Sequence, residues 1–222
     1  MISVSKRNWQ EIKINKNIIK KAQQVNNFSD IVSRLIVSRK FDLEEIYSIK
    51  NYLELPNKFK NNLDFINSSK LIENAINNKE KICILGDYDV DGSAATALLI
   101  KFFEKIKHPY LYYIPDRVKD GYGASKKLFQ KLIRKKIKLV IMVDCGSTSN
   151  EAVDFLNINK IKSLIIDHHE INKPYPKSNE IINPKKDNGY IEYDYLCATT
   201  LTYFFLEILA NRINCKINFR KY

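Results

Sequence analysis

The sequence lacks the features that would place the chain in a membrane, in a secretory route or around a structural zinc ion. Its four cysteines, Cys83, Cys145, Cys197 and Cys215, are widely separated and form no C-x-x-C pair. This spacing excludes a zinc ribbon and a disulfide framework of the secreted kind. No apolar run reaches the roughly 18 residues of a membrane span, and residues 1–21 contain no apolar core of a signal peptide. We therefore expect a soluble cytoplasmic protein without a membrane partner.

What the chain has in excess is positive charge. Its 222 residues carry a formal net charge of +12, which is typical of proteins that bind a polyanion such as nucleic acid. Lysine supplies most of this charge, and asparagine and isoleucine are also abundant, a bias that an AT-rich genome produces without selection for binding. The charge alone therefore leaves a nucleic-acid surface and a solvated background both open. A hydrophobic content of 45% predicts a folded core.

Hydrophobic periodicity divides the chain into a helical first part and an alternating second part. Residues 17–55 have helical spacing, residues 58–67 resemble a loop, and residues 68–78 again have helical spacing. After these, strands are expected at 82–85, 110–114, 139–143 and 163–166, and helices at 93–106, 124–136, 148–158 and 196–213. This alternation predicts an α/β domain with a mainly parallel sheet flanked by helices. We expect a helical lead at residues 1–67 and the α/β domain at residues 68–222.

Acidic side chains follow the predicted strands. Residues 86–92 read Gly-Asp-Tyr-Asp-Val-Asp-Gly and contain Asp87, Asp89 and Asp91. Neighbouring carboxylates repel one another unless a cation lies among them, and hard divalent cations prefer carboxylate oxygens. Asp144 follows the strand at 139–143, and an Asp-His-His sequence at 167–169 follows the next strand. Because ligands bind at the carboxyl ends of parallel strands, we expect these groups to form one metal site.

An EF-hand, a turn or a helix cap would each account for only a part of this pattern. A calcium-binding EF-hand loop needs a glutamate at its twelfth position, but the twelfth residue counted from Asp87 is Leu98, and the loop follows a strand. A turn or a helix cap explains one aspartate of the loop but not all of them. Asp144 before Cys145-Gly146 is by itself compatible with a simple turn. Together, the carboxylates and histidines favour two divalent ions, which can activate water for phosphoryl hydrolysis without a serine or cysteine nucleophile.

The combined motifs resemble the DHH phosphoesterase superfamily and, more narrowly, its RecJ family of single-strand-specific 5′→3′ DNA exonucleases. The resemblance is carried by Gly-Asp-Tyr-Asp-Val-Asp-Gly at 86–92, Val-Asp-Cys-Gly at 143–146 and Asp-His-His at 167–169. Pro115-Asp116-Arg117 and Asp120-Gly121-Tyr122-Gly123 are similar to the loop between these motifs in that family. The resemblance covers nearly the whole chain and implies the fold described above.

The resemblance also implies roles for individual side chains. The implied ligands of two Mn²⁺ or Mg²⁺ ions are Asp87, Asp89, Asp144 and His168, with Asp91 as a further ligand or beside the ligands. Asp167 would orient the two histidines, as carboxylates often do for metal-binding imidazoles. His169 would contact the scissile phosphate or a metal. The implied catalytic set is Asp89, Asp144, His168 and His169.

Two further phosphate contacts are expected. The guanidinium of Arg117 suits a phosphate, although an ordinary surface arginine is the alternative. The helix expected to begin at Ser93 would offer free N–H groups to a phosphate. A basic segment could follow the nucleic-acid backbone or could be a solvated helix face; its members are Lys126, Lys127, Lys131, Arg134, Lys135 and Lys136.

By resemblance, the expected reaction is metal-dependent hydrolysis of 5′-terminal phosphodiester bonds in single-stranded DNA during recombination and repair. One alternative is a DHH phosphoesterase for short oligonucleotides or other small phosphate esters. Members of the RecJ family continue beyond the position of Tyr222 with another ligand aspartate and a second domain, so we expect the domain at 68–222 to be incomplete at its C-terminus. A further alternative is thus a non-catalytic half that needs a separate partner chain.

Overall fold

The computed structural model describes residues 5–8, 10, 12–50, 57–116, 118–121, 123–186 and 190–219, without the side chains of residues 44 and 50. The chain forms two compact units, Met1–Pro56 and Asn57–Tyr222. The predicted division between residues 67 and 68 stays a prediction. Among the described residues, no helix has both the length and the apolar character that a bilayer span requires.

The first unit contains the helices α1 (Lys16–Asn26), α2 (Asp30–Arg39) and α3 (Leu43–Lys50). Side chains at the helix starts explain where these helices begin. Ser29 accepts a hydrogen bond from the N–H of Val32 at the start of α2. Asp42 and Glu45 each accept the other's N–H at 2.8 Å, which is a capping box.

The second unit is built on one parallel sheet. Its described strands are β1 (Ile82–Leu85), β2 (Tyr110–Tyr113), β3 (Leu139–Val143), β4 (Lys162–Ile166) and β5 (Glu180–Ile182), in the order β2-β1-β3-β4-β5. Its helices are α4 (Leu63–Asn77), α5 (Val90–Lys105), α6 (Lys126–Ile133), α7 (Asn150–Ile158) and α8 (Ala198–Arg212), with a 3₁₀ turn at Ile191–Tyr193. The predicted α/β class with a parallel sheet flanked by helices is therefore confirmed.

Two separate apolar layers bury the two faces of this sheet. On one face, Ile84 and Ile141 pack with aromatic residues of α4, α5 and α8. On the other face, Leu85 and Met142 pack with apolar residues of α6 and α7. The helices change face between β1 and β3, which are neighbours in the sheet although β2 separates them in sequence. A crevice at such a reversal of strand order is the usual ligand site of open α/β sheets.

Two predicted helix starts are wrong, and one strand was missed. Helix α4 begins at Leu63 and not at residue 68, because the Asn62 side chain accepts the N–H groups of Asp64 and Phe65. Helix α5 begins at Val90 and not at Ser93. Strand β5 was not predicted, since three residues give too short an apolar run to distinguish from a loop.

Helix α5 starts in direct contact with the end of β1 because residue 92 is a glycine. A Cβ atom on Gly92 would lie 2.6 Å from Asp87 Cβ and 2.7 Å from Asp87 N. Both distances are too short for carbon atoms, and the second atom belongs to the backbone, which cannot rotate away. This close approach brings the first turn of α5, and with it Asp89, beside Asp87.

We predict that Gly92→Ala destabilises the chain by about 1–3 kcal/mol, the usual cost of overpacking. Alanine favours a helix over glycine by about 1 kcal/mol, but the clash with the strand end should outweigh that gain. The free energy of unfolding from urea denaturation measures the effect. Ser93→Ala in the same turn is the matched control and should change stability by less than about 0.5 kcal/mol. Equal stability of Gly92→Ala and the wild type would contradict the close approach.

Candidate metal centre

Side chains from the carboxyl ends of β1, β3 and β4 meet at one edge of the sheet. Donor atoms of Asp87, Asp89 and Asp144 lie within 4.8 Å of one another, and so do donor atoms of Asp144, His168 and His169. Asp144 belongs to both groups, because β3 lies between β1 and β4. The structure thus brings together Asp87, Asp89, Asp144 and His168, the ligands expected from the sequence, whereas Asp91 belongs to neither donor group.

Asp144 is the buried centre of this arrangement. Its side chain is 1% exposed, and its backbone has the left-handed conformation with φ 59°, which aspartate tolerates better than most residues. No described residue donates a hydrogen bond to its Oδ1 atom; His168 Nε2 lies 3.3 Å away. Burial, with the charges of Asp91 and Asp89, raises the pKa of Asp144 to about 8. A cation at this carboxylate would relieve both the desolvation and the repulsion.

Asp167 and His169 form a closely bonded pair beside Asp144. Asp167 Oδ1 accepts the Nδ1–H of His169 at 2.8 Å, and Asp167 Oδ2 accepts the N–H of Ser147 at 3.0 Å. Burial acts to raise the pKa of Asp167, but these hydrogen bonds outweigh it and lower the pKa to about 2. The hydrogen bond to Asp167 raises the pKa of His169 to about 9, against the effect of burial. In the absence of a metal ion, both pKa shifts favour a protonated imidazole bound to a carboxylate.

Asp91 lies outside both donor groups, because its carboxylate binds the start of a helix. Its Oδ2 and Oδ1 atoms accept the N–H groups of Ala198 and Thr199, each at 2.8 Å. Cys197, the residue before α8, provides no side-chain cap, so Asp91 takes that place. Burial acts to raise the pKa of Asp91, but the hydrogen bonds from Thr199 and Ala198 lower it overall. His168 Nε2 lies 3.5 Å from Asp91 Oδ2, so the geometry favours a position beside the ligands.

The sequence predicts phosphate contacts at Arg117 and at the N–H of Ser93, but the structure describes only the second of these residues. Arg117 lies outside the described residues. Since α5 begins at Val90, the N–H of Ser93 donates to Asp89 O at 2.9 Å. The expectation of a free N–H group at Ser93 is therefore wrong. Asp89 also caps α5 by accepting the N–H of Gly92 at 2.9 Å.

The loop after β2 is tied to the sheet through Asp120. Its Oδ2 atom accepts the hydroxyl of Tyr113 and, at 3.2 Å, the N–H of Asp116. Lys131 Nζ of α6 lies 3.1 Å from Asp120 Oδ1. This loop carries the motif around residues 115–123, so Asp120 ties that loop to β2 and α6.

A cavity of about 620 Å³ adjoins His169 on the side of α6 and α7. It is lined by residues 123–126, 145–152, 167, 169 and 170. Its walls include the hydroxyl-bearing segment Ser147-Thr148-Ser149 and the first turns of both helices. The volume falls in the range of small-ligand pockets.

Sequence reasoning missed one polar residue at this edge. Asn183 directly follows β5 and is fully buried. Its Nδ2 atom donates to Ser147 Oγ at 2.8 Å and to the carbonyl oxygen of His169 at 2.9 Å. The signal was the same as for the aspartates, an apolar pair (Ile181-Ile182) followed by a polar side chain, but the run is shorter.

We predict that Asp144→Asn stabilises the metal-free protein and that the gain depends on pH. The carboxyl is neutral in both states below about pH 4, so the gain vanishes there. The gain should grow as the pH rises from about 4 to about 8, because only the unfolded chain ionises in that range. Above pH 8 it should stay constant, at no more than about 6 kcal/mol. Urea denaturation with a chelator present measures it. Asp154→Asn on the exposed face of α7 is the control; parallel pH profiles for both variants would contradict the buried carboxylate.

Comparisons with known proteins identify the family of this fold. Residues 81–220 match the model of the DHH family, N-terminal domain. The single-stranded-DNA-specific exonuclease RecJ of Bacillus subtilis (strain 168) is 28% identical over 191 residues, which cover 82% of this chain and 23% of the relative. RecJ of Haemophilus influenzae is 34% identical over 115 residues, which cover 51% of this chain and 20% of the relative.

The fold comparison points the same way. A crystal structure of exonuclease RecJ bound to manganese superposes with a TM-score of 0.63 at 24% identity, covering 69% of this chain and 39% of that chain. At this identity the likeness establishes the fold. The chain spans about a quarter of the length of the curated relatives it matches. Since the family model covers more than half of the sequence and the whole sheet, this chain belongs to the DHH family.

Proposed function

We propose that this chain forms the metal-binding core of a RecJ-type exonuclease, which hydrolyses 5′-terminal phosphodiester bonds of single-stranded DNA with Mn²⁺ or Mg²⁺ and serves recombination and repair. The observation that carries this proposal is the meeting of Asp87, Asp89, Asp144 and His168 at adjacent strand ends. The relatives named RecJ support the substrate class.

The residues present fit divalent ions. The buried Oδ1 atom of Asp144 receives no hydrogen bond from the part of the chain that the structure describes, and an ion would supply the missing partner. Two donor groups share Asp144, so that its two oxygens could serve two ions. Asp87 and Asp89 would complete one group and His168 the other. Carboxylates with an imidazole suit Mn²⁺ well. When bound, such ions supply Lewis-acid stabilisation of charge on phosphate oxygens and a lowered pKa for water.

The chain's own side chains have distinct tasks in this proposal. Asp167 keeps its negative charge at neutral pH and holds the ring of His169 through the 2.8 Å hydrogen bond. This contact places the ring of His169 at the edge of the cavity, where it can meet a phosphate of the substrate. Asp91 ties the start of α8 to the same edge. These contacts orient the site before substrate arrives, which is how preorganised charge contributes to catalysis.

The cavity beside His169 supports release of single nucleotides. Its volume of about 620 Å³ can contain one nucleotide but not a longer stretch of DNA. The hydroxyl groups of Thr148 and Ser149 offer neutral hydrogen-bond partners to sugar and phosphate oxygens. We assign this cavity to the terminal nucleotide of the substrate.

We predict Mn²⁺-dependent release of nucleotides from 5′-labelled single-stranded DNA by the purified chain. Asp144→Ala should abolish the release, with a loss of about 100-fold or more, because it removes the carboxylate shared by both donor groups. It should also remove Mn²⁺ binding measured by calorimetry. Asp154→Ala, an exposed aspartate of α7, is the matched control and should retain both.

Two further results of this assay would separate the alternatives. Mn²⁺ binding without nucleotide release would refute the stand-alone exonuclease and favour a half that needs a partner chain. Faster turnover of a dinucleotide than of long single strands would favour a phosphoesterase for short oligonucleotides.

The basic segment contributes to the substrate surface only at one end. Lys126 and Lys127 lie at the start of α6, and Lys126 lines the cavity, where its Nζ atom lies 4.0 Å from the carboxylate of Glu151. Arg134 and Lys135 lie at the other end of the helix, just before β3 and therefore at the opposite edge of the sheet. Lys131 is already paired with Asp120 at 3.1 Å.

We predict that the double variant Lys126→Ala/Lys127→Ala weakens binding of single-stranded DNA and reduces the slope of log affinity against log salt. Loss of two phosphate contacts on a single strand should lower the slope by about 1.4. Fluorescence anisotropy at several salt concentrations measures it. The variant Arg134→Ala/Lys135→Ala removes the same charge from the far edge and should keep the wild-type slope. Equal effects of the two variants would mean that general charge, and not this surface, attracts DNA.

A further inference from the structure

Asn183 links the ends of three neighbouring strands through its side chain. It follows β5, and its Nδ2 atom reaches Ser147 after β3 at 2.8 Å and the carbonyl oxygen of His169 after β4 at 2.9 Å. Its Oδ1 atom accepts the N–H of Lys185 at 2.9 Å. Because an N–H donor faces Oδ1, the orientation of the amide is fixed.

We infer that Asn183 is a positioning residue, which holds His169 against Asp167. The contacts form a closed ring. Asn183 binds Ser147 Oγ, the N–H of Ser147 binds Asp167 Oδ2, Asp167 Oδ1 binds the ring of His169, and the carbonyl oxygen of His169 returns to Asn183. The inference rests on the proposed function only for the task of His169 toward substrate.

The ring restrains His169 at three points. Its N–H and its Nδ1–H both donate to Asp167 Oδ1, at 3.2 and 2.8 Å. Its carbonyl oxygen is held by Asn183. The first two contacts depend on the position of Asp167, which Ser147 fixes from the β3 side. Without Asn183, both Ser147 and the main chain of His169 would lose a buried donor, and the imidazole could rotate away from the carboxylate.

Asparagine is the side chain that this place requires. Two donors and one acceptor are used within one planar group. Aspartate would keep the acceptor but lose both donors, and it would add a charge close to Asp167. Serine would be too short to reach both acceptors. Buried networks of this kind are rigid only when every member is bonded.

The backbone of Asn183 is anchored separately from its side chain. Its N–H donates to Tyr190 Oη at 2.9 Å. The buried ring of Tyr190 packs against Phe59 and Phe65, at centroid distances of 5.5 and 6.0 Å. Substitutions of the Asn183 side chain should therefore leave β5 in place, although the following turn loses the acceptor of the Lys185 N–H.

The test is the hydrogen-bonded Nδ1–H proton of His169 in the metal-free protein. The chain has three histidines, so labelling histidine with ¹⁵N gives a simple NMR spectrum. In the wild type this proton should be visible and slow to exchange. The Asn183→Ala variant is first shown to unfold cooperatively. In this variant the Nδ1–H proton of His169 should vanish or exchange about ten times faster. With Mn²⁺ and single-stranded DNA, the kcat of Asn183→Ala should be about 10–100-fold below that of the wild type, with little change in KM. Losses of this size are usual for residues that orient a ligand.

Matched variants separate positioning from general damage. Asn157→Ala removes an exposed amide that bonds Lys177 O at 2.9 Å and should leave the proton signal unchanged. Asn183→Asp should lose the signal as Asn183→Ala does. If Asn183→Ala does not fold, Ser147→Ala, which removes one acceptor of the ring, should show faster exchange. A wild-type signal in the folded Asn183 variants would overturn the inference. If the wild type releases no nucleotides, the stand-alone exonuclease is refuted, and the proton signal still decides the role of Asn183.

Discussion

The repulsion among carboxylates at one sheet edge is the constraint on which the rest of this structure depends. Most of these acids have a local partner. Asp91 binds the first N–H groups of α8, Asp89 caps α5, and Asp167 binds His169 and Ser147. Asp144 differs, because its buried Oδ1 atom accepts no hydrogen bond from the described residues. The protein thus compensates the surrounding charges and leaves one carboxylate for a ligand that the chain does not supply.

The order of the strands determines where that charge collects. β1 and β3 are adjacent, yet the helices that follow them cover opposite faces of the sheet. The chain therefore leaves a crevice between the two strand ends, and the acidic loop after β1 faces the loop after β3 across it. Gly92 lets α5 begin directly at this crevice. The loops after β1 and β3 thus determine both where the site lies in the fold and which side chains it contains.

Long apolar runs made much of this predictable. β1, β3 and β4 each end in an acidic motif that is visible in the sequence, and their parallel arrangement follows from the helices between them. The role of Asp91 was not predictable, because its partners Ala198 and Thr199 are more than 100 residues away. Asn183 was not predicted, since β5 has only three residues. Its contacts, moreover, are with residues distant in sequence, which no local pattern reveals. Local sequence therefore located the donors, whereas the groups that support them required the folded chain.

The left-handed backbone of Asp144 has an evolutionary consequence. Few side chains adopt this conformation easily, and asparagine and aspartate are the best of them apart from glycine. Asparagine is also one nucleotide substitution away from aspartate. A gene that drifts away from selection for metal binding therefore has a short route to a neutral side chain at the centre of the site without loss of the fold. Descendants that no longer bind the metal would be expected to carry that exchange before any change in the sheet.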